Sequence, residues 1–127
     1  MANAAAMGQA LETMQQWFAK PDPLWYADDI DWYVPGYPVA RERYVGRAAV
    51  TDEFFPTMRT HFSVWKIEVS ELIEAGDRVT AIGRYVGTTT AGKPVVIPFL
   101  HVWTVRDRKI TSVIAAADTS VFVRALS

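Results

Sequence analysis

The sequence predicts an α+β domain in which N-terminal helices pack on one face of an antiparallel sheet. Two observations predict it. Apolar residues recur at helical spacing near the N-terminus, and from residue 62 onward four extended segments follow one another with only short turns between them.

Met7, Ala10, Leu11, Met14, Trp17 and Phe18 form the apolar stripe of the first helix, which Lys20-Pro21 terminates. Asp22-Pro23 reads as an N-cap with a first-turn proline, opening a short second helix through Tyr26. Residues 30–34 form a short strand stopped by Pro35-Gly36, and residues 37–45 a loop. Gly46 opens a third helix carrying Ala49, Val50, Phe54 and Met58, which Pro56 kinks or shortens. Strands then cover residues 62–74, 78–90, 95–106 and 109–121. They turn at Ala75-Gly76-Asp77, Ala91-Gly92-Lys93 and Asp107-Arg108.

A chain of 127 residues fits one domain spanning residues 1–127. Half of it is apolar, with five Trp, five Tyr and six Phe to fill a core or line a pocket. Thirteen basic and 14 acidic residues leave a net charge of −1, so no electrostatic footprint for nucleic acid or an anionic membrane is visible. The chain has no cysteine, which excludes disulfides, thiolate metal sites and cysteine nucleophiles and fits a reducing compartment. No apolar run approaches a membrane span, and residues 1–6 lack the basic start of a signal peptide. A cytoplasmic location is therefore expected.

The strand at residues 95–105 is apolar on both faces: Val95, Ile97, Phe99 and Trp103 on one, Val96, Leu100 and Val102 on the other. Helices can cover one face. The other predicts a homodimer through the sheet's outer surface.

Several short patterns occur in a fixed order. They are Asp28-Asp29-Ile30-Asp31-Trp32 before Pro35-Gly36, Gly46-Arg47-Ala48-Ala49-Val50 with Phe54-Phe55, Ala91-Gly92-Lys93, His101-Val102-Trp103, Lys109-Ile110 and Asp118. Over essentially its whole length the chain resembles the nuclear transport factor 2-like superfamily, in its SnoaL-like polyketide cyclase and ketosteroid isomerase-like branch. The resemblance implies a cystatin-like, cone-shaped roll whose curved sheet wraps a helix around a deep, mostly apolar pocket. Function varies widely on this fold. Relatives carry glycine in the last turn where this chain has Arg108, so either the turn is of another type or Arg108 is mildly strained.

If Asp107-Arg108 is a two-residue turn, Arg106 pairs with Lys109 and His101 lies opposite Ile114, on the same face. Asp118 then shares that face, roughly 13 Å along the strand. The two could flank one ligand, although a direct hydrogen bond between them would need a bulge. A two- or four-residue loop at Ala91-Gly92 places Arg84 opposite Phe99, on the His101 face; a three-residue loop sends it to the other face.

Asp118 is the expected acid/base group: the resemblance assigns acid/base work to an aspartate at this position, and Ala115-Ala116-Ala117 leave room for a ligand. The competing reading is an aspartate that ends the strand and caps residues 120–126. His101 matches an oxyanion-stabilising acid of the steroid isomerases, where a neutral imidazole could donate to a carbonyl. Its competing reading is a core histidine bonded to a neighbour. Trp32 and Val34 match pocket-wall positions, and Arg84, Phe99 and Ile114 complete the expected ligand-binding set. Trp65 and Trp103 read as core.

Tyr33 stands near the isomerases' catalytic carboxylate, so steroid isomerisation is disfavoured. Ile82 and Arg84 break the arginine–aspartate pair that epoxide hydrolases of the superfamily need on that strand. Arg59 and His61 suit a helix C-terminus. Two distant histidines make no metal motif, and no cofactor is implied. The expected function is a SnoaL-like pocket for a small, largely apolar carbonyl compound, with acid/base isomerisation or cyclisation as the chemistry. The alternative is a non-catalytic ligand-binding or dimerisation module.

Overall fold

The computed structural model describes residues 8–127, so Met7 of the expected helical stripe and residues 1–6 lie outside the described residues. Helix α1 (Gln9–Ala19) buries Ala10, Met14 and Trp17 and ends at Lys20, as the stripe and Pro21 require. The Glu74 carboxylate, reaching across from the sheet, accepts hydrogen bonds from the Gly8 and Leu11 amides at 3.1 and 2.8 Å. It satisfies donors that the helix start leaves unpaired.

The expected second helix is only a 3₁₀ turn (Pro23–Trp25), with Asp22 Oδ1 accepting from the Leu24 amide at 2.9 Å. Tyr26 instead opens strand β1 (Tyr26–Tyr33), longer than the sequence suggests, and the expected loop contains strand β2 (Arg43–Val45). Helix α2 (Arg47–Ala49) runs through a π-helical turn (Val50–Phe54) into helix α3 (Phe55–His61). The Phe55 amide donates to the Val50 carbonyl, five residues back. Pro56 has no amide hydrogen to donate, and the widened turn lets the helix continue to His61.

Four strands follow: β3 (Phe62–Ala75), β4 (Arg78–Thr89), β5 (Pro94–Arg106) and β6 (Lys109–Ala117). The curved, open sheet has the order β2-β1-β6-β5-β4-β3, with β1 and β6 parallel and every other pair antiparallel. The strand expected to reach residue 121 stops at Ala117. Asp118 caps helix α4 (Thr119–Ala125), its carboxylate accepting from the Val121 amide.

Asp107 and Arg108 form a two-residue turn at φ 50° and 60°, so Arg108 takes the strained alternative rather than a different turn type. Arg106 pairs with Lys109 as expected. A bulge then shifts the register between Thr104 and Val105, leaving Thr111 as the extra residue, its hydroxyl donating to the Thr104 carbonyl at 3.2 Å. Beyond the bulge, His101 lies opposite Ala115 and Ile114 opposite Val102. The expected His101–Ile114 pairing is thereby corrected by one residue.

The inner face of the sheet, with Val79, Ala81, Ile97, Phe99, Trp103 and Val113, closes on α1, α3 and α4. Trp17 and Trp103 meet at the centre, with ring centroids 4.8 Å apart.

Candidate functional site

Two neighbouring spaces lie between the helices and the inner face. The outer one is an open cleft of about 840 Å³, walled by Phe18, Tyr26, Phe55, Met58, Phe62 and Trp65, with Arg59, Lys66 and Glu68 at its polar rim. Apolar walls with a few polar groups characterise small-molecule sites. The inner space is a void of about 10 Å³, enclosed by residues that include Trp17, Trp32, Val34, His101 and Trp103. Phe55, Trp65 and Ile67 line both spaces.

Strand β5 turns His101 inward, in step with Phe99 and Trp103. The imidazole stacks on Phe99, centroids 3.9 Å apart and planes within 13°. Its Nε2 lies 2.7 Å from the Tyr85 hydroxyl, which is 2.6 Å from the Tyr37 hydroxyl. Burial pulls the His101 pKa from 6.5 down to about 3, so the ring is neutral at physiological pH. Burial also pushes the hydroxyls of Tyr37 and Tyr85 above their ordinary range, so both remain protonated.

Three buried nitrogens on residues around the inner void have no hydrogen-bond partner: His101 Nδ1, Trp32 Nε1 and Trp103 Nε1. The Trp17 indole differs, donating to the Tyr26 hydroxyl at 3.3 Å.

Of the residues singled out in the sequence, Trp32, Val34 and His101 meet at the void, with Phe99 packed beneath His101. The others lie elsewhere. Arg84 pairs with Pro98 rather than Phe99, because the Thr89 amide bonds the Lys93 carbonyl and leaves a three-residue loop, 90–92, and its guanidinium holds Glu68 at 2.9 Å on the outer face. Ile114 also faces outward, its parity reversed by the bulge at Thr111. Asp118 does not share the His101 face: its carboxylate is fully exposed and accepts from Ser120 Oγ at 2.7 Å. That hydrogen bond, with the Val121 amide, holds its pKa below the usual carboxylate value.

Tyr37 and Tyr85 were not singled out by the sequence, and Trp65 and Trp103 read there only as core. Tyr85 shares inward parity on β4 with Val79 and Ala81, a signal that marks burial without marking a partner. Among the described residues no group of three or more His, Cys, Asp or Glu could hold a metal ion, and no helix is long and apolar enough to cross a membrane.

The family model of the SnoaL-like domain matches residues 24–113. No curated protein matches the chain. Among solved structures, an NTF2-like protein of unknown function from Burkholderia pseudomallei K96243 is 23% identical, with 95% of this chain and 99% of that one covered and a TM-score of 0.83. TerC, co-crystallised with polyporic acid, is 26% identical over 93% of this chain and 98% of its own, with a TM-score of 0.82. An NTF2-like protein from Burkholderia thailandensis E264 is also 26% identical, with coverages of 94% and 95% and a TM-score of 0.78.

Proposed function

The chain belongs to the SnoaL-like domain family, and we propose that it binds a small, largely apolar molecule in the cleft between its helices and its sheet. The observation that carries this reading is the 840 Å³ cleft itself, whose walls are mostly aromatic and whose rim carries Arg59, Lys66 and Glu68. An apolar body would displace water from the aromatic walls, and a polar end would meet the rim. The structure of TerC with polyporic acid supports a small-molecule ligand for this architecture.

The reading is one of binding, and it uses no His101–Asp118 acid/base pair. A proton-transfer pair needs both groups within reach of one substrate. Here the imidazole is enclosed and neutral, while the carboxylate caps a helix in solvent. Any chemistry in the cleft would rest on polarisation by N–H donors.

The test uses 8-anilinonaphthalene-1-sulfonate, whose rings suit the walls and whose anion suits Arg59 and Lys66. It should bind at one site per chain, and Ser63→Trp, which fills the cleft from its exposed edge, should abolish binding. Binding that survives this substitution unchanged would place the site elsewhere.

The same reading pairs two copies through the outer face. Val96, Leu100 and Ile114 are about half exposed there, at 51%, 54% and 48%. The Glu68–Arg84 pair beside them offers both charges, as a self-complementary two-fold contact requires. Sedimentation should give a dimer mass that Leu100→Lys reduces to a monomer. A monomeric wild-type protein at micromolar concentration would overturn this.

A further inference from the structure

Resting on the cleft reading, the charge of the ligand can be inferred from the rim. Strand β3 is an edge of the sheet and pairs only with β4. Trp65 and Ile67 turn inward from it and also line the void, whereas Lys66 and Glu68 alternate with them and are exposed. All four border the cleft, so the cleft opens across the free edge of the strand. An apolar body entering there lies against the inward side chains. Its outer end meets the outward ones.

The groups around this opening are short of acceptors. Arg41, Arg43, Arg47, Arg84, Arg106 and Arg108 each hold a carboxylate. Arg59 of α3 and Lys66 of β3, the two cations bordering the cleft, hold none among the described residues. Glu68 is the one carboxylate there, and Arg84 holds it at 2.9 Å. Asp22, between the lining prolines 21 and 23, accepts from the Leu24 amide instead. Tyr26 accepts from the Trp17 indole at 3.3 Å, which leaves its own proton without a partner among the described residues. The Thr51 and Ser63 hydroxyls donate to backbone carbonyls. Unspent donors therefore exceed free acceptors, and two of those donors are charged. Water meets them while the cleft is open. An apolar ligand displaces that water, and only a ligand with an acceptor replaces it.

We propose that the ligand of the cleft is an organic anion, an apolar body ending in a carboxylate that Arg59 and Lys66 receive at the rim. The guanidinium of Arg59 presents a planar fork suited to a carboxylate, and Lys66 adds a second positive charge from the strand. The carboxylate stays where water still reaches it, so no charge is buried.

The pair 2-naphthoate and 2-naphthamide tests this, because they share a shape and differ in charge. Water solvates the carboxylate far better, so an apolar cleft alone would favour the amide. At low ionic strength the wild-type protein should bind 2-naphthoate more tightly than 2-naphthamide. Arg59→Gln and Lys66→Gln should each weaken 2-naphthoate about threefold, the scale of an exposed ion pair, and the uncharged amide should respond to neither. Raising the salt to about 0.5 M should remove the preference by screening. Ser63→Trp should abolish binding of both compounds. An amide bound as tightly as the carboxylate, or more so, and lost in Ser63→Trp would overturn the anion preference and leave the cleft reading intact. A carboxylate preference indifferent to both Arg59→Gln and Lys66→Gln would overturn their assignment. Binding that survives Ser63→Trp, or saturable binding of neither compound, would remove the cleft reading and this inference with it.

Discussion

Trp65 stacks on Tyr85, with ring centroids 4.4 Å apart and planes 25° from parallel. One face of the indole borders the open cleft, and its ring helps close the void behind which Tyr85 meets His101. Trp65→Ala should cost about 2–3 kcal/mol in urea unfolding, below the value for a fully buried tryptophan, because the ring is partly exposed. It should also speed hydrogen exchange at the Trp32 and Trp103 indole nitrogens. Unaltered exchange at both would show that Trp65 does not separate void from cleft.

The low pKa of His101 makes stability depend on acidity. The unfolded imidazole titrates near 6.5 and the folded one near 3, so between these values the unfolded chain binds more protons. Stability is complete above pH 6.5 and declines as pH falls toward 3, with a slope approaching about 1.4 kcal/mol per pH unit from this group. Carboxylates add their own dependence, so the comparison is with His101→Phe. The variant should lose that component between pH 6 and 4 (roughly the span between the two titrations). Parallel stability curves for the two proteins would contradict it.

Asp118 caps α4, and the effect of replacing it should be structural. Asp118→Ala should lower the unfolding midpoint, Asp118→Asn should largely restore it, and neither should alter binding of 8-anilinonaphthalene-1-sulfonate. The cap is present above the ordinary aspartate pKa and is lost as pH falls through the lower folded value. A binding change in Asp118→Asn with an unaltered midpoint would return the carboxylate to the ligand site.

The last turn holds Arg108 at φ 60°. Arg108→Gly should relieve up to about 1 kcal/mol of left-handed strain, partly offset by the greater freedom of glycine in the unfolded chain. The ion pair with Glu12, exposed and 3.4 Å long, is weak. Thermal unfolding should therefore show an unchanged or raised midpoint; a clear drop would mean that the ion pair outweighs the strain.

The architecture was legible because periodicity reports burial. Met14, Trp17, Phe54 and Met58 announce their helices, and alternation along 95–105 announces a strand with Ile97, Phe99 and Trp103 inside. The site was less legible, because a single extra residue reverses every side chain beyond it. The turn at Asp107-Arg108 is read correctly, yet Thr111 carries no glycine or proline to mark a bulge, and it moves Ile114 outward. Arg84 depended on a loop length that Ala91-Gly92 left open, and the three-residue loop placed it outside. The Tyr37–Tyr85–His101 chain joins residues 48 and 16 positions apart, a proximity that only the folded sheet creates.

The central claim, a small-molecule site in the cleft between helices and sheet, is tested most directly by the indole resonances in a ¹H–¹⁵N spectrum titrated with 8-anilinonaphthalene-1-sulfonate. A saturable shift is expected for Trp65, which lines the cleft, and it should vanish in Ser63→Trp. Saturable shifts that spare Trp65, or none that saturate, would contradict it.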